Sequence, residues 1–188
     1  MSKALFQSIE QQDWRQLANQ LQNPDAVRAL HNLPQSPSKI LGRTVVSPLE
    51  WAMLRREPKA VECLLKAADL RDHGRQPEQI LPLILEIFED DFQEVHWPDR
   101  DRHSTVREAM APPRGHTPAE VLKQTAQIIM LLDKAGLDWN RPVRGRPAWM
   151  HLDVHTSSPA YAFIRSIVER HQALMQKPNR VRAGSAPR

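Results

Sequence analysis

The side chains best equipped for chemistry in this 188-residue chain are eight histidines and a single cysteine. A zinc site needs three or four ligands, with neighbours that orient them. His151 and His155 are four residues apart, which on a continuous helix places both on one face. No H-E-x-x-H stretch and no paired cysteines supply the remaining ligands, so the two histidines predict no metal site. Cys63 has no disulfide partner within the chain and reads as a small apolar residue of the interior. Nucleophilic catalysis needs a hydroxyl or thiol activated by a base. Asp153, His155 and Ser157 are close in sequence, but no G-x-S-x-G elbow frames them. Asp90 and Asp91 are adjacent, so a helix sends them to different faces. No P-loop or Gly-rich dinucleotide loop occurs, and six glycines leave little room for one. The residues imply no catalytic group, no metal and no cofactor, and the chain is not expected to be an enzyme.

Composition sets the frame for any other role. Hydrophobic residues make up 40% and charged residues 26%, ordinary for a folded domain of this length with a substantial core. Aromatics are only 5%, which leans away from strands. The start, Met1 to Ser8, has no apolar stretch of the signal-peptide kind, and no apolar run approaches the roughly 20 residues that span a bilayer. A cytoplasmic protein without membrane contact is the expectation. Net charge is +4, with much of the excess at Lys177, Arg180, Arg182 and Arg188. A basic tail can touch nucleic acid, but it is more often a solvated terminus.

The 16 prolines act as punctuation. Leu5, Ile9, Leu17 and Leu21, with Trp14 between, predict two short helices, the second capped by Asp13. A short helix is expected from Asp25 to Leu33 and a loop from Gln35 to Arg43. Ser47-Pro48 opens a helix, because serine supplies the cap oxygen and proline lacks only an N–H that would be unpaired there. Pro58 starts the next, with Val61, Leu64 and Leu65 inward. A longer helix runs from about Glu78 to Val95, with Pro82 in its first turns as an alternative start and an acidic side at Glu86, Glu89, Asp90, Asp91 and Glu94. Residues 97–117 are polar, Pro-rich and irregular. Thr117-Pro118 opens a helix that ends at Gly136, Pro147 begins a short one, and Pro159 precedes the last. A flexible basic tail is expected from 177 to 188, after a single domain over 1–176.

Prolines 48, 82, 118 and 147 recur at intervals of 34, 36 and 29 residues, a spacing that marks stacked helical repeats. Ser47-Pro48-Leu49-Glu50-Trp51-Ala52 is similar to the T-P-L-H-x-A of ankyrin repeats, and Ala60 to Ala67 resembles the second-helix pattern that follows it. Gly115-His116-Thr117-Pro118 resembles G-x-T-P, and Leu131 to Asn140 resembles the L-L-x-x-A-G-A-D-V-N that closes a repeat. Gly145 to His151 resembles the start of another. Arg56 and Glu57 stand where Gly-His usually separates the two helices. The segment from Pro118 to Gly136 is about two residues short, as if that pair were fused. The resemblance implies an all-α, ankyrin-like helical repeat stack (an α-solenoid) of about four degenerate repeats. Residues 23–46 and 97–117 would be insertions, and the C-terminal tail disordered.

In that family the concave helix face and the loop tips bind proteins. Trp51, Leu54 and Arg55 map to concave positions, where an exposed tryptophan beside arginine makes a binding anchor. The alternative for Trp51 is packing into the core or under the 23–46 insertion. Arg141, Arg144 and Arg146 follow Asn140 in what would be a finger tip, suited to gripping an acidic partner or a phosphate, or simply solvated. The acidic 86–94 face suits a basic partner, an ordinary wet surface, or the arginine loop of a second copy. The resulting expectation is a protein-interaction module with an unidentified protein partner; a sharper version has it neutralise one dedicated partner, as in a bacterial immunity protein or an inhibitor of a toxin or enzyme. Nucleic-acid binding through the tail and arginine loop is the poorer alternative, since no basic helix with interleaved aromatics supports it.

Overall fold

A computed structural model of the protein describes residues 2–31, 35–40, 43–45, 47–70, 77–97, 115–152 and 159–176. Its described residues are mostly helical: α1 (Ser2–Glu10), α2 (Trp14–Leu21), α3 (Pro24–His31), α4 (Pro48–Leu54), α5 (Pro58–Ala67), α6 (Pro77–His96), α7 (Pro118–Lys134) and α8 (Ala162–Gln176). Among the described residues two short antiparallel hairpins accompany the helices, and the chain remains mostly helical, consistent with an all-α class. The first pairs β1 (Gln35–Ile40) with β2 (Arg43–Val45), where the sequence predicts a loop. The second pairs β3 (Pro142–Val143) with β4 (Arg146–Pro147). Short 3-10 turns at Ala148–Leu152 and Pro159–Tyr161 complete the elements.

The helix starts follow from local chemistry. Asp13 accepts a hydrogen bond from the Gln16 amide at 2.9 Å and so caps α2. Ser47 and Glu50 close a reciprocal capping box at α4, and Thr117 and Glu120 close another at α7, each followed by proline in the first turn. The ends follow one rule as well. Asp13, Glu57 and Leu137 donate their backbone N–H groups back to Ser8, Ala52 and Leu132, and the residues before them, Gln12, Arg56 and Gly136, donate to Ile9, Met53 and Asp133. This Schellman arrangement needs a left-handed residue at the turn. Gly136 accepts that at no steric cost, whereas Gln12 (φ 55°) and Arg56 (φ 53°) bear it with a side chain.

The helices pack in two rows. α1, α4, α6 and the Ala148–Leu152 turn touch in succession in one row, and α2, α5, α7 and α8 touch in succession in the other. Within each pair, α1 meets α2, α4 meets α5, α6 meets α7 and the 3-10 turn meets α8. α3 lies against both α1 and α2. Leu17, Leu49, Ala52, Leu64, Ile84 and Leu132 are all completely buried between the rows and layers. Fully burying a leucine or isoleucine contributes about 1.5–3 kcal/mol, and this interior is where the short helices gain their stability.

Two expectations about prolines are corrected. α6 starts at Pro77, and Pro82 lies inside it, exposed, in the second turn. Pro118 opens one unbroken 17-residue helix of the second row, not the first helix of a pair. Its partner in the first row is α6. The regular proline interval therefore mixes starts from both rows. The 98–114 part of the predicted irregular segment and the 177–188 tail lie outside the described residues.

Candidate functional site

α6 is the longest helix, and its two sides differ sharply. Ile80, Leu83, Ile84, Ile87 and Phe88 are buried, while Pro82 and Glu89 are exposed and Glu86, Asp90, Gln93 and Glu94 are half-buried. Those wet positions recur every three or four residues and form one carboxylate-rich stripe. Asp91, which the sequence reading places on that acidic side, is instead 6% exposed and belongs to the core.

The β3–β4 hairpin stands beside this stripe. Arg144 (φ 50°) and Gly145 (φ 79°) are both left-handed, which is the requirement of a two-residue type I′ turn. The hairpin base is tied down by several bonds. The Ala148 amide donates to the Arg141 carbonyl at 2.9 Å, and the Trp149 amide to the Trp139 carbonyl at 3.0 Å. His151 Nε2 donates to the Val143 carbonyl at 2.9 Å. Below it, buried Trp139 donates Nε1–H to Asp133 at 3.0 Å, and Arg170 reaches the same carboxylate oxygen at 2.7 Å. From this base Arg144 Nη1 extends to Glu89 Oε2 at 3.1 Å, with both side chains more than half exposed. An exposed pair of this kind contributes about 0–1 kcal/mol, so it aligns the tip with α6 more than it stabilises the fold.

The remaining predicted site residues fall in three places. Arg141 lies half-buried with its Nε 3.8 Å from Asp138, and Arg146 is exposed on β4. Arg55 is half-buried at the end of α4, with its Nε enclosed and without a hydrogen-bond partner among the described residues. Trp51 and Leu54 are not surface anchors: they are 7% and 1% exposed, and Trp51 meets Phe6 edge-on at 6.0 Å. The reason is that every residue of α4 from Pro48 to Leu54 is buried, so this short helix has no wet side. Of the two readings open for Trp51, packing into the core holds.

Two groups escaped the sequence reading. The first is a buried polar cluster. Arg56 donates through Nη2 and Nε to the two oxygens of Asp91 at 2.9 and 3.3 Å, and through Nη1 to the Leu54 carbonyl at 2.6 Å. Thr125 donates to Asp91 at 2.5 Å. Burial pushes the Asp91 carboxyl above its ordinary range, against the opposing pull of Arg56 and Thr125. A signal existed: Asp91 continues the apolar series Ile80, Ile84 and Ile87, where an acid needs an internal partner. The second group is aromatic. Phe92, His96, Trp97 and Tyr161 cluster at the end of α6, with His96 Nε2 3.1 Å from the Tyr161 hydroxyl.

The arrangement sets the carboxylates of α6 beside the arginine of the hairpin tip on one exposed surface. Among the described residues no group of three or more His, Cys, Asp or Glu could hold a metal ion. Burial raises the Cys63 thiol above its ordinary value and keeps it protonated, the opposite of an activated nucleophile. No described helix is long and apolar enough to cross a membrane. No protein-family model, curated protein or solved structure matches the chain.

Proposed function

We propose that the protein is a recognition scaffold of the ankyrin type, whose four helix pairs present the acidic stripe of α6 and the arginine-bearing hairpin tip to a partner protein. The observation that carries this reading is the pairing of Arg144 with Glu89, which joins hairpin and stripe into one surface of alternating charge. The two-row packing of successive helix pairs supports it, since such layers make a rigid surface that is formed before the partner arrives. So does the I′ hairpin between the last two pairs, which fits the finger expected between ankyrin repeats.

On this reading Glu86, Glu89 and Asp90 meet basic groups of the partner, while Arg144 and Arg146 meet its acidic ones. Arg55 contributes at most from the edge, and Trp51 and Leu54 act only by holding α4 in place. Charge patterns of this kind steer encounter and exclude wrong partners more than they add affinity. The test is a stoichiometric partner isolated with the protein from its native cells. Reversing Glu89→Arg with Asp90→Lys should slow its association at low salt by about tenfold or more, with the helical circular dichroism unchanged. Unaltered binding by that variant and by Arg144→Glu with Arg146→Glu would overturn the proposed surface.

A further inference from the structure

The end of α6 carries a set of rings that the charged surface leaves unused. Trp97 follows the last turn, where its amide donates to the Gln93 carbonyl at 2.7 Å and so keeps it in helical register. It is 53% exposed, the one aromatic ring among the large apolar side chains left exposed in the described residues. Phe92 and His96 meet it at 5.9 and 6.0 Å, each inclined at 60°, so neither ring stacks on it. On their inner side Tyr161 is buried; it meets Phe92 at 5.7 Å, and its hydroxyl lies 3.1 Å from His96 Nε2. The rings are therefore tied to both α6 and the turn that opens into α8, and Trp97 sits on a fixed support.

Three separate features give this shelf a preference for positive charge. The face of an indole ring is negative and attracts a cation lying over it. The carboxylates of the stripe share its side of the helix: Glu86 and Asp90 precede Trp97 by eleven and seven residues, which are whole turns to within about 20°. Glu89 likewise precedes His96 by seven. The third feature is the helix end itself, since the aligned peptide units of this 20-residue helix leave partial negative charge at its C-terminus. An anion would meet like charge on all three counts, and a neutral apolar side chain would gain nothing from the second and third.

We infer that this shelf docks an arginine side chain of the partner protein, with the guanidinium over the Trp97 ring and its edge turned to the carboxylates of the stripe. Arginine fits better than lysine for two reasons. Its planar group stacks on an aromatic face and is more weakly hydrated than an ammonium, and its outer N–H groups still reach a carboxylate while it is stacked. Tryptophan and arginine are also the residue types that most often dominate the energy of an interface. The inference rests on the scaffold reading and names the chemistry of its partner: an arginine anchored at Trp97, followed along α6 by basic groups that meet Asp90 and Glu89.

The probe is acetyl-Gly-Arg-Gly amide, titrated at constant ionic strength into the full-length ¹⁵N-labelled protein while the Trp97 indole N–H and the Gln93 side-chain amide are followed by NMR. The expected result is saturable movement of both signals, with a Kd on the order of 10 mM. The peptide with citrulline in place of arginine keeps the shape and loses the charge, and should bind at least about fivefold more weakly, as should the lysine peptide. Trp97→Ala should weaken the response of Gln93 about fivefold and Trp97→Phe should recover part of it; the position is exposed, and the backbone spectrum reports directly whether the fold is kept. No movement at about ten times that Kd, an equal response to the citrulline or lysine peptide, or full binding by Trp97→Ala overturns the inference. The native partner separates it from the scaffold reading. Trp97→Ala, which keeps every charge, should weaken partner binding about tenfold. Parent affinity in that variant, beside a loss in Glu89→Arg with Asp90→Lys, would overturn the arginine shelf and leave the scaffold standing.

Discussion

Arg56 and Asp91 form a two-pronged ion pair inside the protein, at 2.9 and 3.3 Å, with side chains 3% and 6% exposed. The pair links the turn between α4 and α5 to the inner side of α6, and Thr125 extends it to α7. An analogous contact exists one layer earlier, where Gln12, at the α1–α2 turn, donates to Glu57 at 2.6 Å. In both cases a left-handed residue, where glycine is the relaxed choice, uses its side chain to reach the next helix pair.

Removing one member of the pair should cost far more than removing both. Asp91→Ala leaves the Arg56 charge buried and should destabilise by about 3–5 kcal/mol in urea unfolding followed by circular dichroism. Arg56→Gly relieves about 1–2 kcal/mol of left-handed strain but strands the Asp91 carboxylate, so it should still be a net loss. Arg56→Gly combined with Asp91→Leu should recover most of the stability. A single Arg56→Gly variant more stable than the parent by the full relieved strain of about 1–2 kcal/mol would mean that the pair has no net weight.

His171 gives a pH dependence whose expected sign follows from its burial. Its ring lies parallel to Trp149 at 6.3 Å, and burial, with the Arg170 charge, lowers its pKa below the ordinary 6.5, against the raising effect of Asp133 and Asp138. The unfolded chain then binds the proton more readily than the folded one. The contribution is complete above 6.5 and is lost as pH falls through the lower folded value. Urea midpoints measured from neutral pH downward should decline less in His171→Phe than in the parent; an identical decline would assign it to other groups.

Asp91 acts with the opposite sign. Because its folded pKa is raised, its contribution is complete below the ordinary 3.8 and is lost as pH rises through the raised value. The stability of the parent minus that of Asp91→Asn should therefore fall with rising pH across that interval. A difference that rises would show that the ion pair with Arg56 outweighs burial.

The two capping boxes should differ in weight. Ser47 is buried and Thr117 is exposed, although each accepts from the backbone amide three residues on. Replacement by alanine should cost about 1 kcal/mol at Thr117 and up to about 2 kcal/mol at Ser47, where water cannot take over the freed amide. Equal losses in thermal or urea unfolding would contradict this ranking.

Trp51 separates stability from binding. Trp51→Ala should destabilise by about 3–5 kcal/mol through the cavity it leaves beside Phe6. Trp51→Phe, which keeps the fold, should bind the partner with the affinity of the parent. A tenfold loss in that variant would return Trp51 to the interface.

The sequence by itself determined the starts of α2, α4 and α7 and the end of α7. Asp13, Ser47-Pro48, Thr117-Pro118 and Gly136 act through bonds to residues within a few positions, so their effect is local and readable. It also determined the inward apolar positions of α5, such as Val61 and Leu64, because the apolar period is a property of one segment. Asp91 was placed with the acidic side, although its position in the series Ile80, Ile84 and Ile87 held the signal of an internal acid. Only the tertiary structure decided that Pro118 opens a second-row helix, that α4 is buried on every side and takes Trp51 with it, and that Arg144 reaches Glu89 in its own chain. Those outcomes depend on which segments, 35 to 55 residues apart, become neighbours. Caps and periods are energies of short stretches; neighbours are fixed by how whole layers close over one another, which no short stretch encodes.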